Sequence, residues 1–371
     1  MPLTFFLLSV LVFAFLILRL LITLTNFLQN PKLPEYQTET PDNEALEPLV
    51  SILIPARNEA HNLPRTLRAV QRQAYRHLEV LVLDDHSEDG TAEIIEDFTR
   101  QDRRIRRLSG TSLPSGWLGK NWACDQLAAL AQGDYFLFID ADVELHGEAI
   151  RSAIQELKRQ KLVLLSVFPD QEMPTWGEKI VVPIMHYLLL TLLPLAFIRR
   201  FAFPSMAAAN GQFMLFEAAT YRREQWHERV RQRVTEDIEI VKVIKRQGLR
   251  AGTYLGNRMI RCRMYDGFGA AVDGFSKNLL AGFGNSILGL LVFLLLTTVG
   301  YGFALWYAPL LGGAMLVVGT TIINLLLAAM GNQPLVIVLL QPLKMLALVG
   351  IGFNSIYRKL SGKNTWKGRR V

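Results

Sequence analysis

Tyr135-Phe136-Leu137-Phe138-Ile139-Asp140-Ala141-Asp142 is the stretch on which the reading of this chain turns. An apolar run rich in aromatics ends abruptly in two aspartates one residue apart. The run has the length and composition of a buried strand. In an open α/β sheet, ligands bind just beyond the carboxyl ends of the strands, so Asp140 and Asp142 stand at the mouth of a cleft. Two carboxylates at i and i+2 on turning backbone can share one hard divalent cation. Mg²⁺ or Mn²⁺ held this way keeps positions open for substrate phosphates, which is the chemistry that neutralises a departing diphosphate. Taken alone, such a pair more often merely closes a strand and caps a helix, here the one near Gly147, and only the surrounding sequence can overturn that reading.

Working outward, strand and helix signals alternate. Leu49–Pro55 is a β-branched apolar run that ends in Ala56-Arg57-Asn58-Glu59. A helix follows, with Asn62 as its cap and Pro64 in its first turn. Glu79–Leu83 is a second strand, ending in Asp84-Asp85-His86-Ser87. Glu88-Asp89-Gly90-Thr91 turns into an amphipathic helix with Ile94, Ile95 and Phe98 on one side. Arg104–Leu108 reads as a third strand, Lys120–Ala131 as a helix, and Glu148–Arg159 with Leu162–Val167 as the closing helix and strand. Asn210–Glu217 is a further strand after a turn, and Thr235–Gln247 a helix capped by Thr235 and ended by Gly248. This rhythm predicts an α/β domain, a mostly parallel sheet with helices on both faces. No Gly-x-Gly-x-x-Gly and no Gly-Lys-Ser/Thr is present, so neither a dinucleotide fold nor a phosphate-cradling loop is supported.

The 371 residues are 50% hydrophobic, enough for a catalytic domain together with membrane spans. Residues 1–28 read as an uncleaved anchor: no small-residue cleavage site follows, and Arg19 is expected to snorkel outward. With Arg19 and Lys32 at its far end, this anchor puts the N-terminus outside and the following domain in the cytoplasm, as an integral protein of a bacterial inner membrane. Residues 29–47 are a polar linker, 48–265 the catalytic domain, and 180–203 an interfacial or re-entrant segment broken by Pro183 and Pro194. Residues 266–284 form an amphipathic interfacial helix presenting Phe268, Ala271, Val272, Phe275, Leu279 and Phe283. Residues 285–356 divide into three spans and 357–371 are a basic tail. Three spans would put that tail outside, whereas Arg358, Lys359, Lys363, Lys367, Arg369 and Arg370 argue for inside. The net charge of +7 is modest and clusters near the apolar segments, which points to anionic headgroups and not to nucleic acid. Two cysteines, Cys124 and Cys262, are too few for a disulfide framework or a zinc site.

The chemistry-bearing residues meet at the strand ends. Asp85 can accept from a base N–H or a ribose hydroxyl. Glu59 can hold ribose, and Arg57 a phosphate. Gly116-Trp117-Leu118-Gly119-Lys120-Asn121 opens a helix, an electrostatically odd place for Lys120 unless an anion sits beside it. Thr235-Glu236-Asp237 begins another helix, where a carboxylate gains capping energy or serves as a general base.

Together, Val50-Ser51-Ile52-Leu53-Ile54-Pro55-Ala56-Arg57-Asn58-Glu59, Leu83-Asp84-Asp85-His86-Ser87-Glu88-Asp89-Gly90-Thr91, Asp140-Ala141-Asp142 and Glu236-Asp237 resemble the motifs of the large inverting family 2 of glycosyltransferases with a GT-A fold. The resemblance covers roughly residues 48–265. It implies a nucleotide-sugar site of Pro55, Arg57, Glu59, Asp85, Lys120 and Asp140, a metal site of Asp142 with Asp140 for Mg²⁺ or Mn²⁺, and Asp237 as catalytic base. Gly116-Trp117-x-Gly119-Lys120, Arg263-Met264-Tyr265 and Gly274-Phe275-Ser276-Lys277-Asn278 look like the versions in members that glycosylate lipids, such as ceramide, hopanoid and carotenoid glycosyltransferases. The resemblance therefore implies transfer of one hexose, by default glucose from UDP-glucose, to the hydroxyl of a lipid acceptor such as a hydroxylated carotenoid. A polyprenyl-phosphate glycosyltransferase, a polysaccharide synthase and a non-enzymatic membrane scaffold are the rivals. One departure is the absence, after Asp237, of the Gln/Arg-x-x-Arg-Trp motif of ceramide-type and processive members; Arg261 and Arg263 are the candidates for cationic support in its place.

Overall fold

The computed structural model describes residues 3–37, 47–362, 365–366 and 369–370. Residues 38–46 of the linker, and Lys363 and Lys367 of the basic tail, lie outside the described residues. The chain forms two compact units. One contains residues 32–170 and 196–263. The other contains the N-terminal helix, residues 171–195 and the chain from residue 264 onward.

In the first unit the strands are β1 (Val50–Ala56), β2 (Leu78–Asp84), β3 (Ile105–Ser109), β4 (Tyr135–Ile139), β5 (Val143–Leu145), β6 (Leu164–Phe168), the two-residue β7 (Asp170–Gln171), β8 (Phe213–Glu217), β9 (Ala251–Leu255) and β10 (Ile260–Cys262). Seven of them make one sheet in the order β3-β2-β1-β4-β8-β6-β9. β1 runs parallel to β2 and β4, and β2 parallel to β3. The chain winds from β1 to β3 on one side and then crosses back to place β4 on the other side of β1. That reversal opens a crevice at the carboxyl ends of β1 and β4. Register brings the ends together: Ala56 pairs with Asp84, and Leu53 with Phe138. Sequence periodicity does not reveal strand direction, and here β8 runs antiparallel to both β4 and β6, so the sheet is mixed.

β1 and β4 read as almost unbroken apolar runs because both of their faces are covered. Helix α4 (Gly119–Leu130) packs on β1 and β2, α3 (Thr91–Gln101) on β2 and β3, α2 (Leu63–Gln71) on β5, α5 (Ala149–Gln160) on β6 and α11 (Glu236–Arg246) on β9, while the short α9 (Ala218–Glu224) and α10 (Trp226–Arg229) follow β8. An aromatic nest of Phe136, Phe138, Phe216, Tyr221 and Trp226 forms part of the core. Phe138 and Phe216 meet edge to face with ring centroids 5.6 Å apart. Two expected caps are absent. Asn62 makes no cap hydrogen bond and instead donates to Glu59 at 3.1 Å, and Thr235 makes none either.

In the second unit, α1 (Leu3–Leu28) buries Val12, Leu16, Arg19, Thr23 and Asn26 along one stripe. Arg19 therefore does not snorkel outward: it lies on the buried face and is 1% exposed. Short helices α6 (Trp176–Val181) and α7 (Ile184–Leu192) lie in this unit, and after Pro194 the chain re-enters the first unit through α8 (Leu195–Arg200). A nine-residue helix is too short to cross a bilayer. The break at Pro194 is satisfied by Asn26, whose amide donates to the carbonyls of Leu190 and Leu193 and accepts from the Leu195 N–H. α12 (Gly267–Gly282) buries Ala271, Ser276, Leu279 and Leu280, while Phe268 is half exposed, so its packed face is rotated from the expected aromatic one. Small hydroxyl side chains mark that packed face: Ser276 accepts from Asn354, and Ser355 from the Leu280 N–H.

Among the described residues, three helices are long and apolar enough to cross a membrane: Leu3–Leu28, Ile287–Tyr307 and Pro309–Met330. The second is continuous from α13 (Ile287–Leu294) through a π-turn (Leu295–Val299) into α14 (Gly300–Tyr307), and the third is α15. Gly300 follows the π-turn, where a Cβ would lie 2.6 Å from both the Leu295 carbonyl and Val12. The last expected span becomes α16 (Val336–Leu339) and α17 (Gln341–Ser361). α17 carries Lys344, Asn354, Arg358 and Lys359 and is not among the three.

Candidate active site

The site is assembled from loops that leave β1, β2 and β4 and from the starts of α4 and α11. Sheet register puts Pro55, the residue opposite Leu83 in β2, one step before the end of β1. Arg57 then reaches across to donate to the Asp85 carbonyl at 2.6 Å, and the Asp85 N–H returns to the Ala56 carbonyl at 2.8 Å. The Asp84-Asp85 pair divides into two roles. Asp84 accepts from the Ser87 N–H and faces Arg107 at 3.3 Å, which ties β2 to β3. Asp85 is 7% exposed at the crevice. Glu59 sits at the start of the β1–α2 connection, its N–H bonded to the Thr91 hydroxyl at 2.9 Å.

The anion expected beside Lys120 is supplied by the protein itself. Lys120 Nζ lies 2.8 Å from Asp140 and 3.2 Å from Glu236. Burial works against its charge, yet the two carboxylates hold the Lys120 ammonium well above its ordinary pKa. Lys120 thus joins the β4 loop to the start of α11. Gly211 makes room for this: a Cβ there would sit 3.0 Å from Lys120 Nζ and 3.2 Å from Glu236. The Gly211 N–H donates to Asp237 Oδ2 at 3.0 Å, and the Ile238 N–H to Asp237 Oδ1 at 2.8 Å. Burial first, and the neighbouring Glu236 charge second, push the Asp237 carboxyl up to about 7.

Asp142 is the other perturbed acid. Burial and the charges of Asp140 and Glu59 push it up to about 7, which also locates Glu59 near the aspartate pair. Its Oδ1 is buried with no hydrogen-bond partner. Among the described residues no three His, Cys, Asp or Glu side chains cluster closely enough to hold a metal by themselves. A buried, unpartnered carboxylate oxygen crowded by two further acids nevertheless fits one hard divalent cation whose remaining positions go to phosphate and water.

Three contributors escaped the sequence reading. Cys262 is buried beside Asp142 and accepts from Gln212 at 2.8 Å, so an apparently inert thiol backs the aspartate pair. Asn121 donates to the carbonyls of Val230, Arg231 and Arg233, clamping the loop that delivers Asp237. Gly211 contributes through its backbone alone. Arg261 is exposed and, one residue from Cys262 on β10, points to the opposite face, so the structure does not bring it to the acids. Arg263 follows the end of the same strand. A separate cavity of about 270 Å³, lined by Arg65, Arg68, Arg72 and His146 among others, includes none of these acids.

A seven-stranded sheet with acids gathered at its strand-order reversal is the GT-A fold of nucleotide-sugar transferases. The same fold is seen in the mannosyltransferase PcManGT from Pyrobaculum calidifontis in complex with GDP-Man and Mn²⁺. That chain superposes with a TM-score of 0.58 at 16% identity, over 96% of this chain and 100% of its own. The chain carries a glycosyl transferase family 2 domain, matched over residues 51–224. It is 28% identical over 260 residues to the 4,4'-diaponeurosporenoate glycosyltransferase of Staphylococcus haemolyticus, covering 68% of this chain and 66% of that protein. It is 30% identical over 110 residues to the GalNAc(5)-diNAcBac-PP-undecaprenol beta-1,3-glucosyltransferase of Campylobacter jejuni, covering 29% and 34%. It is 27% identical over 122 residues to the beta-monoglucosyldiacylglycerol synthase of Trichormus variabilis, covering 32% and 26%. The chain thus spans just under two thirds of the first relative and about a third or less of the other two.

Proposed function

We propose that this chain is a membrane-bound, inverting glycosyltransferase that moves one hexose from a UDP-sugar, glucose by default, to an oxygen of a polyisoprenoid or related lipid. The observation that carries this reading is the pairing of two half-buried acids with opposite tasks at one crevice: Asp142 with an unpartnered buried oxygen, and Asp237 oriented by two backbone N–H groups. Arg57, Glu59 and Asp85 bind the nucleotide at the ends of β1 and β2. Asp142, with Asp140, would hold Mg²⁺ or Mn²⁺, which when bound supplies positive charge to the diphosphate. Lys120 keeps Asp140 and Glu236 in place and adds a cation on the leaving-group side. Asp237 takes the proton of the acceptor hydroxyl as its oxygen attacks the anomeric carbon in line, and its raised pKa suits a base working near neutrality. A single displacement of this kind inverts the anomeric centre.

The three relatives support a lipid or lipid-linked acceptor, since their names specify a carotenoid acid, a glycan on undecaprenyl diphosphate and a glucosyl diacylglycerol. The first of these favours a second form of the reaction, in which the acceptor oxygen belongs to a carboxylate and the product is a glycosyl ester. Membrane residence is supported by the three long apolar helices. If those three are the crossings, the last two return the chain to the side of the catalytic unit, and Arg358 and Lys359 then lie inside with it, as the positive-inside rule requires. The test is mass spectrometry of lipid products after full-length protein is incubated with UDP-glucose, Mg²⁺ and a bacterial lipid extract. Addition of a single hexose supports the proposal. An alkali-labile product assigns the ester form, and repeated hexose addition or no product rejects the proposal.

A further inference from the structure

The second unit contains two cations that the reaction above does not use. Arg19 and Lys344 are each only 1% exposed. Both flank the ring of Tyr187: the Arg19 guanidinium carbon is 4.5 Å from its centroid, and Lys344 Nζ is 4.9 Å from it. Lys344 also donates to the Asn324 side chain. Among the described residues neither cation has a carboxylate partner. Arg19 Nε and Nη2 and the Tyr187 hydroxyl are buried with no hydrogen-bond partner.

Burying two like charges among apolar helices is costly, and attraction to one aromatic ring offsets only a small part of that cost. Ionisable groups persist in such places where they serve a function. The geometry of the unpaired atoms is specific. Nε and Nη2 form one edge of the guanidinium, a two-pronged donor whose spacing matches two oxygens of a carboxylate or a phosphate. The hydroxyl of Tyr187 adds a third unused donor, and Lys344 a second positive charge. Two positive charges and three unused donor groups, with no carboxylate among the described residues to oppose them, select an oxyanion. The helices of this unit, three of them long and apolar enough to cross a membrane and with Leu11, Leu18 and Leu21 of α1 exposed, select one carried by an apolar tail.

We propose that this unit is a binding site for an anionic amphiphile, whose carboxylate or phosphate headgroup takes the Nε–Nη2 edge of Arg19 with Lys344 as the second counter-charge. The site stands independently of the transfer reaction, because it is read from charges and donors in helices that hold none of the crevice acids.

The experiment uses full-length protein purified in an uncharged detergent. Native mass spectrometry measures adducts of four probes: oleate, phosphatidylglycerol, oleyl alcohol and phosphatidylcholine. Wild-type protein is expected to retain oleate, phosphatidylglycerol or both at least tenfold above the two probes without net charge. Retention of oleate alone assigns a carboxylate lipid, retention of phosphatidylglycerol alone a phospholipid headgroup, and retention of both a general oxyanion site. Arg19→Met should lower the adduct at least tenfold. Arg19→Lys, which keeps the charge and removes the two-pronged edge, should give an intermediate loss and serves if the methionine variant does not fold. Equal retention of charged and uncharged probes overturns the proposal. So does an unchanged adduct in Arg19→Met, above all with a raised melting temperature, the result expected of a buried charge with no ligand. UDP-glucose binding measured alongside should be unaffected by either variant, so failure here is distinguishable from failure of the transferase reading.

Discussion

Asp237→Asn exchanges one carboxylate oxygen of the proposed base for an amide nitrogen at constant shape. In the folded protein the carboxyl is pushed from 3.8 up to about 7, so the folded state binds its proton more tightly than the unfolded chain does. The sign follows: this group costs nothing below pH about 4, and its cost grows as pH rises to about 7 and is constant above. At about 1.4 kcal/mol per pH unit, the cost at pH 8 is on the order of 4 kcal/mol. Asparagine removes it. Against that, the carboxylate accepts from both Gly211 and Ile238, whereas an amide presents one acceptor oxygen, so one N–H loses its partner at about 1–3 kcal/mol. The variant should therefore be as stable as wild type at pH 8, or more stable by about 1–3 kcal/mol. Its turnover should fall about 10²–10⁴-fold with donor affinity nearly unchanged. Thermal melts at pH 5 and pH 8, beside kcat for hexose transfer, read both effects. Wild-type turnover would refute the base assignment, and a large loss of stability at pH 8 would make Asp237 a structural residue.

The pH profile supplies a second check: kcat should rise with pH through about 7 and level off, because Asp237 must be ionised to accept a proton, and a profile flat across that range would contradict its role. Asp142→Ala should weaken Mn²⁺ binding at least about tenfold in the presence of UDP-glucose, read by electron paramagnetic resonance, and in wild type that affinity should itself rise with pH through about 7 as the buried carboxyl loses its proton. Lys120→Met leaves Asp140 and Glu236 facing each other without their shared cation. Because the side chain is a quarter exposed, the loss should be about 2 kcal/mol and not the full 3–5 of a deeply buried pair, measurable as a lower melting temperature. The same substitution should move the acid limb of the pH profile upward, since Lys120 helps to hold Asp237 down.

Much of the sheet was legible because its central strands are continuous apolar runs that end in charge. β4 and its two aspartates fell where the sequence put them, and β1 and β2 end in register with one another. The direction of β8 was not legible: Phe213–Glu217 is as apolar as a parallel strand, and only its place between β4 and β6 makes it antiparallel. The carboxylates could be named in advance because strand ends and helix starts are local signals. What connects them could not. Asn121 and the 230–233 loop are over a hundred residues apart, and Cys262 meets Asp142 only because β10 pairs with β5. Arg19 shows the limit most plainly. One arginine late in an apolar helix reads as a group reaching for the interface, and the buried stripe that holds it is defined by α7, α14 and α15, which arrive far later in the chain.

The central claim is that acids from β1, β2, β4 and α11 bind a nucleotide sugar through a divalent cation. Calorimetric titration of UDP-glucose into the full-length protein, with Mn²⁺ and then with a chelator, tests it most directly. The account predicts saturable binding with Mn²⁺ that the chelator abolishes. Absence of binding to any UDP-, GDP- or TDP-sugar with Mn²⁺ present, or binding indifferent to the chelator, would contradict it.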